Sequence, residues 1–261
     1  MASGSLTSQK PIDNKSLVRE QVWSELQRVA LPDSRFHHDY SSFIADFIGS
    51  SAATNLLASL YCYKEASILF IAPDNCLREL RYRALQDGKK VLVTTYGIRR
   101  GFFLLDPMAI ESGKWEVASF LDGVELYGRH ISLTEIKAAY GTSKIPLMVT
   151  GTGAISSRNG LRFGKGHGFF DLEWGMLFSI GVVDRQTSTV AVCHECQVVD
   201  EELLGEEWDT GCDFVVTSEK INEVKGVQKP TKGIIWEKLK RDVLEGVEPL
   251  GELKGFLGTA D

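Results

Sequence analysis

The hydrophobic positions of the 261-residue chain fall into short apolar runs separated by helical patterns. Five runs are rich in β-branched and other apolar residues, and each predicts a buried strand: SILFIAP, KVLVTTY, SKIPLMVTGTGAIS, STVAVCHECQVV and, as the last strand, CDFVVTS. The first two flank a helical pattern within about thirty residues, the length of a βαβ unit. The chain is therefore predicted to form a three-layer α/β/α fold, with a mostly parallel sheet covered by helices on both faces.

The patterns around these runs predict the helices. KSLVREQVWSELQRVAL has apolar residues close to helical spacing, which indicates an amphipathic helix closed by Pro32. A second helix is expected to begin near Ser50 or Ser51, because a serine caps a helix start well. NCLRELRYRALQDGKK predicts a helix closed by Gly88, and DLEWGMLFSIGVV predicts an apolar one. In the tail, one helix is expected over Ile234–Leu244.

The sequence contains no internal repeat, low-complexity tract or obvious linker. We therefore expect a polar, disordered tail over residues 1–11 and one α/β domain over residues 12–229. Residues 230–261 are expected to form a C-terminal helical extension that docks on this domain, with its role open.

Composition narrows the class of protein. Hydrophobic residues make up 43% and charged residues 25%, which is typical of a globular chain, and the net charge of −6 argues against nucleic acid as a partner. The first fifteen residues lack the apolar core of a secretory signal, and no run is long enough to span a bilayer. Five scattered cysteines indicate reduced thiols. We expect a cytoplasmic monomer or homodimer that acts on a small molecule and contacts no membrane.

The segment Gly160–Gly175, GLRFGKGHGFFDLEWG, combines backbone freedom with charge. Glycines let backbone N–H groups curve around an anion, and the start of the following helix adds a favourable dipole. Arg162, Lys165 and His167 are candidate side-chain donors to a phosphate, and Asp171 is placed to bind Mg²⁺. On spacing alone, a glycine-rich turn with surface basic residues remains the alternative.

The sequence RFGKGHGFFD resembles the signature of the 5-formyltetrahydrofolate cyclo-ligase family, approximately R-x-G-x-G-x-G-[YF]-[YF]-D. Further segments match the family in the same order: KSLVR, FIADFIGSSAA, APDNCLRELRYRALQDGKKV, RRGFFLLDP and CDFVVTSEKI. The likeness covers about residues 15–225, and the ordered set is more specific than any one motif. DLEWGML and HECQVVDEELL are most similar to a divergent branch, the methenyltetrahydrofolate synthetase domain-containing proteins.

The resemblance implies a Rossmann-like fold of the NagB/RpiA/CoA-transferase-like type and an enzyme that uses ATP and Mg²⁺. In the family reaction, ATP phosphorylates the formyl oxygen on N5 of 5-formyltetrahydrofolate. The N10 amine then attacks the activated carbon, and phosphate leaves as the ring closes to a methenyl product. The protein would mainly position groups and neutralise charge.

The resemblance also assigns roles to residues. The residues expected to bind ATP are Lys15, Arg19, Gly164, Lys165, Gly166, His167, Gly168, Phe169 and Asp171, with Asp171 also holding the metal. The expected catalytic residues are Lys165, His167 and Arg162, and the expected substrate-binding residues are Phe43, Asp46, Phe47, Gly49 and Phe170. Lys15 and Arg19 are four residues apart, so one helix face could present both to a polyanion, although a solvated basic face is the alternative.

The sequence departs from the family pattern at positions assigned to ATP and at positions assigned to the substrate. His167 stands where many members carry lysine or glycine, Phe169 and Phe170 replace a frequent tyrosine pair, and Ala45 and Asp46 stand at the usual proline and asparagine positions. These changes weaken the case for folate more than the case for ATP. Two alternatives stay open: ATP-dependent activation of a non-folate amide in cofactor or secondary metabolism, and a non-catalytic protein that binds nucleotide or folate.

Other candidate sites are weaker. Cys193 and Cys196 have C-x-x-C spacing, but zinc would need a second pair of ligands, and alternation predicts that these residues lie on two faces of a strand. His37 and His38 are a candidate acid–base pair or part of a surface loop. The chain lacks the G-x-S-x-G motif of a hydrolase. The family pattern makes Arg81 a candidate for supporting the pocket.

Overall fold

The computed structural model describes residues 15–33, 35–164 and 168–258, without the side chains of residues 15–17. The α-helices of this part of the chain are α1 (Lys15–Leu26), α2 (Ser50–Ser59), α3 (Tyr61–Glu65), α4 (Arg78–Gln86), α5 (Trp115–Ser119), α6 (Leu121–Tyr127), α7 (Leu133–Tyr140), α8 (Phe169–Ser179), α9 (Arg241–Gly246) and α10 (Glu248–Leu257). The strands are β1 (Ile68–Ile71), β2 (Lys90–Thr94), β3 (Phe102–Leu105), β4 (Arg129–Ile131), β5 (Leu147–Gly151), β6 (Ala154–Ser156), β7 (Arg162–Phe163), β8 (Ser188–Val192), β9 (Val198–Val199), β10 (Phe214–Val216) and β11 (Ile221–Glu223).

Eight of the described strands form one sheet in the order β11-β10-β8-β5-β1-β2-β3-β4. The central strands β10, β8, β5, β1 and β2 pair in parallel, whereas β11 pairs antiparallel with β10, β3 with β2, and β4 with β3. The remaining strands form a small sheet in the order β7-β6-β9. The predicted α/β fold with a mostly parallel sheet is confirmed.

The strand order reverses between β1 and β5. From β1 the chain moves through α4 to β2, while β8 and β10 are added beyond β5 on the opposite side. Because parallel crossovers are right-handed, the helices of these two halves cover opposite faces of the sheet. Ligands of such sheets bind at the carboxyl ends of the strands, where the order reverses. The topology therefore points to the ends of β1 and β5.

Burial on both faces of the sheet explains why strands could be predicted from the apolar runs. Every residue of β1, β3 and β5 is buried, as helices on both faces require. Helix α8 is also buried around most of its circumference, and its Trp174 Nε1 donates to the carbonyl oxygen of Pro230 at 3.0 Å. Within the described ranges, no helix combines the length and apolar character needed to cross a membrane.

Two predicted strand features are wrong. The run STVAVCHECQVV is not one strand, because β8 ends at Val192 and a short 3₁₀ turn follows over Glu195–Gln197. The imidazole Nδ1 of His194 accepts from the N–H of Cys196 at 3.2 Å, and the Gln197 side chain accepts from the N–H of His194 at 2.8 Å. These local bonds hold the turn, so Cys193 and Cys196 do not alternate along a strand. Likewise β10 is followed by β11 and is not the last strand.

Two helix boundaries also differ from the prediction. Helix α1 ends at Leu26 rather than before Pro32, and Ala30 beyond it forms a β-bridge with Phe47. The tail does not form one helix over Ile234–Leu244. A 3₁₀ turn at Trp236–Lys238, an extended pair of residues, α9 and α10 replace that helix. The apolar residues of this tail are spaced by their contacts with the domain surface and not by one regular helix.

Arg81 on α4 fastens the loop that follows β1. Its side chain is buried, and Nη1 donates to the carbonyl oxygens of Ala72 at 2.7 Å and Asp74 at 3.2 Å. Its Nε donates to the carbonyl oxygen of Ser119 at 2.8 Å. Burial lowers the pKa of the guanidinium to about 10, so it stays charged at neutral pH. Arg81 thus holds the end of β1 in place.

Replacing this guanidinium tests its structural role. We expect Arg81→Met to lower the free energy of unfolding by about 3 kcal/mol, because buried carbonyl oxygens lose their donors. Arg83→Met on the same helix is the control, since Arg83 is half-exposed and makes a surface ion pair with Asp87 at 3.1 Å. It should change stability by less than about 1 kcal/mol. Urea unfolding measures both, and equal effects would contradict the assignment.

Candidate functional site

A cavity of about 680 Å³ lies where the strand order reverses. Pro73 and Asp74 from the end of β1 line it, together with Thr150 and Gly151 from the end of β5. The first turn of α8 forms another part of the wall. Its volume is in the range of sites that enclose a small organic ligand. The cavity is therefore the candidate site that the topology predicts.

Asp74 joins the two strands at the bottom of the cavity. Its Oδ2 accepts from the N–H of Gly151 at 2.8 Å and from the Thr150 hydroxyl at 3.5 Å. Sequence analysis assigned no role to Asp74, although it lies in a segment that resembles the family. Together with the bonds from Arg81, these contacts fix the position of the cavity floor.

A buried ion pair joins the glycine-rich segment to α8. Nη2 of Arg162, on β7, lies 2.9 Å from Oδ1 of Asp171 in the first turn of α8, and the two side chains are only 6% and 12% exposed. The N–H of Thr210 donates to the same oxygen at 2.9 Å. Burial raises the pKa of the Asp171 carboxyl, and the Arg162 charge offsets part of that rise. The pair positions a guanidinium on the cavity wall.

Two guanidinium groups on this wall keep a donor unused. The Nε of Arg162 and the Nε of Arg19, on α1, are buried without a hydrogen-bond partner in the described structure. The guanidinium of Arg19 lies over the Phe163 ring, 4.9 Å from its centroid, and that of Arg162 lies 4.4 Å from the centroid of Phe170. Both residues line the cavity, so the other N–H groups of the two guanidinium groups are candidate donors to an anion there.

Glu173 is a buried acid on the same wall. Its side chain is on α8 and 1% exposed, and the Thr94 hydroxyl donates to its Oε1. Burial raises its pKa to about 8, although the bond from Thr94 lowers it, so the acid is mostly protonated at neutral pH. Glu173 was not predicted as a site residue. The sequence feature that could have indicated it is a second carboxylate, after Asp171, in a largely apolar helix.

The glycine-rich segment contributes backbone to the wall. Gly164 and Gly168 both line the cavity, and Gly168 precedes α8 with a φ of 65°, a conformation that glycine adopts without strain. Oδ2 of Asp171 lies 3.7 Å from where a Cβ on Gly168 would stand, so this oxygen is beside the loop. The start of α8 thereby places a helix dipole at the cavity.

Comparison with known proteins shows a family match over most of the chain. The model of the 5-formyltetrahydrofolate cyclo-ligase family matches residues 11–218. The chain belongs to this family. The resemblance carried by RFGKGHGFFD and the accompanying segments is confirmed.

The curated relatives are methenyltetrahydrofolate synthase domain-containing proteins. The zebrafish (Danio rerio) protein is 30% identical over 241 residues, covering 91% of this chain and 60% of the relative. The human (Homo sapiens) protein is 30% identical over 245 residues, covering 92% of this chain and 61% of the relative. The chain thus spans about three-fifths of the length of these relatives. An NMR structure of Aquifex aeolicus 5,10-methenyltetrahydrofolate synthetase is 18% identical, with a TM-score of 0.48 over 82% of this chain and 94% of that one.

The structure places the residues that the family pattern assigned to ATP as follows. Those on the cavity wall are Arg19, Gly164, Gly168, Phe169 and Asp171, and the expected catalytic residue Arg162 lies with them. Lys165, Gly166 and His167 lie outside the described residues, so their roles stay predictions. Lys15 begins α1, and its side chain also lies outside the described part.

Only some of the residues assigned to the substrate lie on the cavity wall. Phe43 and Phe170 line the cavity, whereas Asp46, Phe47 and Gly49 are not among its lining residues. Phe47 is buried in the core, 5.8 Å from the His194 ring between centroids. Asp46 accepts from the N–H of Phe47 at 2.8 Å, and Gly49 precedes α2. This segment therefore supports the start of α2 rather than the cavity wall.

An aromatic stack takes the place of these residues on the wall. The Phe36 ring lies between Phe43, at 5.3 Å, and Tyr96, at 5.5 Å between centroids, and both pairs are stacked. All three line the cavity. Phe36 and Tyr96 were missed because they come from separate loops and follow no periodic pattern.

The other sequence candidates lie away from the cavity lining. Cys193 is buried and Cys196 partly buried, and His38 Nδ1 is 3.1 Å from the Tyr40 hydroxyl. The described residues contain no cluster of three or more His, Cys, Asp or Glu side chains able to hold a metal. Mg²⁺ on a nucleotide takes most of its ligands from phosphate and water, so one carboxylate suffices. The Oδ2 of Asp171 fits that requirement, and the two unused guanidinium donors fit phosphate.

The buried state of Glu173 leads to a pH-dependent stability. As pH rises from about 4.5 to about 8, the unfolded chain releases this proton while the folded chain keeps it, so wild type loses stability. Glu173→Gln keeps the shape without the titration. We expect the variant to gain stability relative to wild type as pH rises, by on the order of a few kcal/mol at pH 8.

Urea unfolding of both proteins between pH 5 and pH 8.5 measures this difference. The control is Glu237→Gln, an exposed residue outside the cavity lining, whose stability should follow wild type. A stability difference between Glu173→Gln and wild type that does not change with pH would show that Glu173 is not a buried neutral acid.

Proposed function

We propose that the protein is an ATP- and Mg²⁺-dependent cyclo-ligase that activates the N5-formyl amide of 5-formyltetrahydrofolate, or of a close analogue, and closes it to a methenyl product. Membership of the cyclo-ligase family supports the reaction class. The observation that carries the proposal is that Arg19 and Arg162 line the same cavity as the first turn of α8, with Nε atoms unpaired in the described structure. A polyphosphate would pair with these two cations.

The phosphate end of the cavity is assembled from several elements. Arg19 on α1 and Arg162 on β7 provide cationic donors, and the start of α8 adds its dipole. Bound ATP would supply the phosphoryl group that turns the amide oxygen into a good leaving group. The chain's own part is to hold that phosphate in place and neutralise its charge, which is the main requirement of phosphoryl transfer.

Asp171 has two functions in this proposal. Its Oδ1 accepts from Arg162 and from the N–H of Thr210, which fixes the guanidinium in one orientation. Its Oδ2 lies beside Gly168 and would bind Mg²⁺. Glu173, being mostly protonated, adds little negative charge near the phosphates. The wall as a whole carries basic and acidic side chains in similar numbers, so binding of an anionic ligand would depend on the local positions of Arg19 and Arg162.

A second candidate changes only the substrate. Asp46, Phe47 and Gly49 do not line the cavity, and the family pattern at Ala45 and Asp46 is altered. This observation favours the alternative of ATP-dependent activation of a non-folate amide on the same phosphate site. Non-catalytic binding of nucleotide or folate is the third possibility, and turnover separates it from the other two.

Turnover with the family substrate tests the proposal directly. We expect the protein to convert 5-formyltetrahydrofolate to a methenyl product, seen by absorbance, with one ADP released per product when ATP and Mg²⁺ are present. Reactions lacking ATP or folate are the controls. ATP binding without folate turnover at high enzyme concentration would sink the folate substrate and favour the second candidate.

The anion site can be tested without turnover. We expect Arg19→Met to weaken ATP binding about 10- to 100-fold, because a hydrogen bond to a charged group is worth roughly 1.5–3 kcal/mol. Arg28→Met is the matched control, since Arg28 is exposed and pairs only with Glu25 at the described surface. Isothermal titration calorimetry with ATP measures both. Equal affinities of the two variants would remove Arg19 from the phosphate site.

A further inference from the structure

The C-terminal strap, defined here as residues 235–243, forms part of the cavity wall. The family match ends at residue 218, so the strap lies beyond the matched region. Ile235, Leu239 and Val243 of the strap nevertheless line the same cavity as Arg19 and Arg162. The chain therefore builds one wall of its candidate site from a segment that the family pattern does not describe.

The strap is anchored to α8 at its beginning. Ile234 is buried, and its Cδ1 would lie 2.8 Å from a Cβ placed on Gly175 of α8. Gly233 has a φ of 69°, and a Cβ there would lie 2.2 Å from the Ser179 hydroxyl. Two glycines thus permit close packing of this point on the helix whose first turn carries Asp171.

The far end of the strap is anchored through α10. Leu250 and Leu253 are buried in the core. The Glu252 carboxylate accepts from the N–H groups of Leu133 and Thr134, both at 2.9 Å, at the start of α7. Because both ends are fixed to the domain, the strap is held across the cavity.

The strap presents aliphatic side chains, beside its charged residues Lys238, Lys240 and Asp242, within a cavity that also has an aromatic surface. Leu239 and Val243 are partly buried apolar residues packed against the core, and the cavity also contains the Phe36–Phe43–Tyr96 stack. Cationic side chains line the cavity on other elements, at Arg19 and Arg162, and also on the strap, at Lys238 and Lys240. Apolar walls of this kind bind planar aromatic rings, while charged groups elsewhere fix the orientation.

We propose that the strap binds the aromatic heterocycle of the ligand and so determines which ligand the site accepts. This inference rests on the proposed function, because it assumes that the phosphates occupy the arginine end of the cavity. The heterocycle has two sources, the adenine of ATP and the ring system of the folate. Different ligands distinguish them.

The test measures the affinity of Leu239→Ala for ATP, inorganic tripolyphosphate and 5-formyltetrahydrofolate by calorimetry. We expect about a tenfold loss for the ligand whose ring touches the strap, since truncating a buried leucine removes its apolar contact. Weaker ATP binding with unchanged tripolyphosphate binding identifies adenine. Weaker folate binding with unchanged ATP binding identifies the folate ring. The control is Glu237→Ala, an exposed strap residue outside the cavity lining, which should bind all three like wild type.

A second measurement keeps the proposal testable if Leu239→Ala fails to fold. Hydrogen exchange of residues 235–243 in the wild-type chain should slow with ATP or 5-formyltetrahydrofolate but not with tripolyphosphate. Wild-type binding of both with no change in strap exchange and no effect of Leu239→Ala would overturn the strap proposal alone. If wild type binds neither ATP nor tripolyphosphate, the proposed function fails first, and the strap proposal fails with it.

Discussion

A guanidinium group buried beside a carboxylate is the interaction on which the candidate site depends. Arg162 lies on β7 of the small sheet and Asp171 lies on α8. Their ion pair therefore connects a strand of that sheet to a helix. Removing two charges from water is costly, and their attraction repays this only when other hydrogen bonds complete the set. Thr210 completes it for the carboxylate. The Nε of Arg162 remains without a partner in the described structure, so the pair retains part of that electrostatic cost.

The topology explains why this electrostatic cost is found beside the cavity. Where the strand order reverses, between β1 and β5, the segments that follow these two strands diverge. A crevice opens between them. Asp74 bridges that crevice at its floor through the N–H of Gly151, and Arg81 holds the backbone of Asp74 from behind. The floor is therefore held by hydrogen bonds between elements, and α1, α8, loops and residues 235–243 form other parts of the wall.

Sequence patterns predicted the elements whose side chains repeat a local environment. The strands β1, β2 and β5 and helix α8 were readable because burial on all sides leaves continuous apolar runs. The short turn after β8 was not, since it depends on side-chain bonds of His194 and Gln197. The β3–β4 pairing was missed because these strands are joined by the α5–α6 segment and not by a tight turn. Glu173 was missed because its protonation depends on tertiary burial.

The division of the cavity wall has a consequence for specificity. The proposed phosphate site, at Arg19, Arg162 and Asp171, lies inside the region that matches the family. The apolar wall includes Leu239 and Val243, beyond that region. Because the two parts belong to different segments, substitutions in the strap can alter ring recognition without disturbing the buried ion pair. Under the proposed function, binding of the phosphates and recognition of the ring are therefore physically separable in this fold.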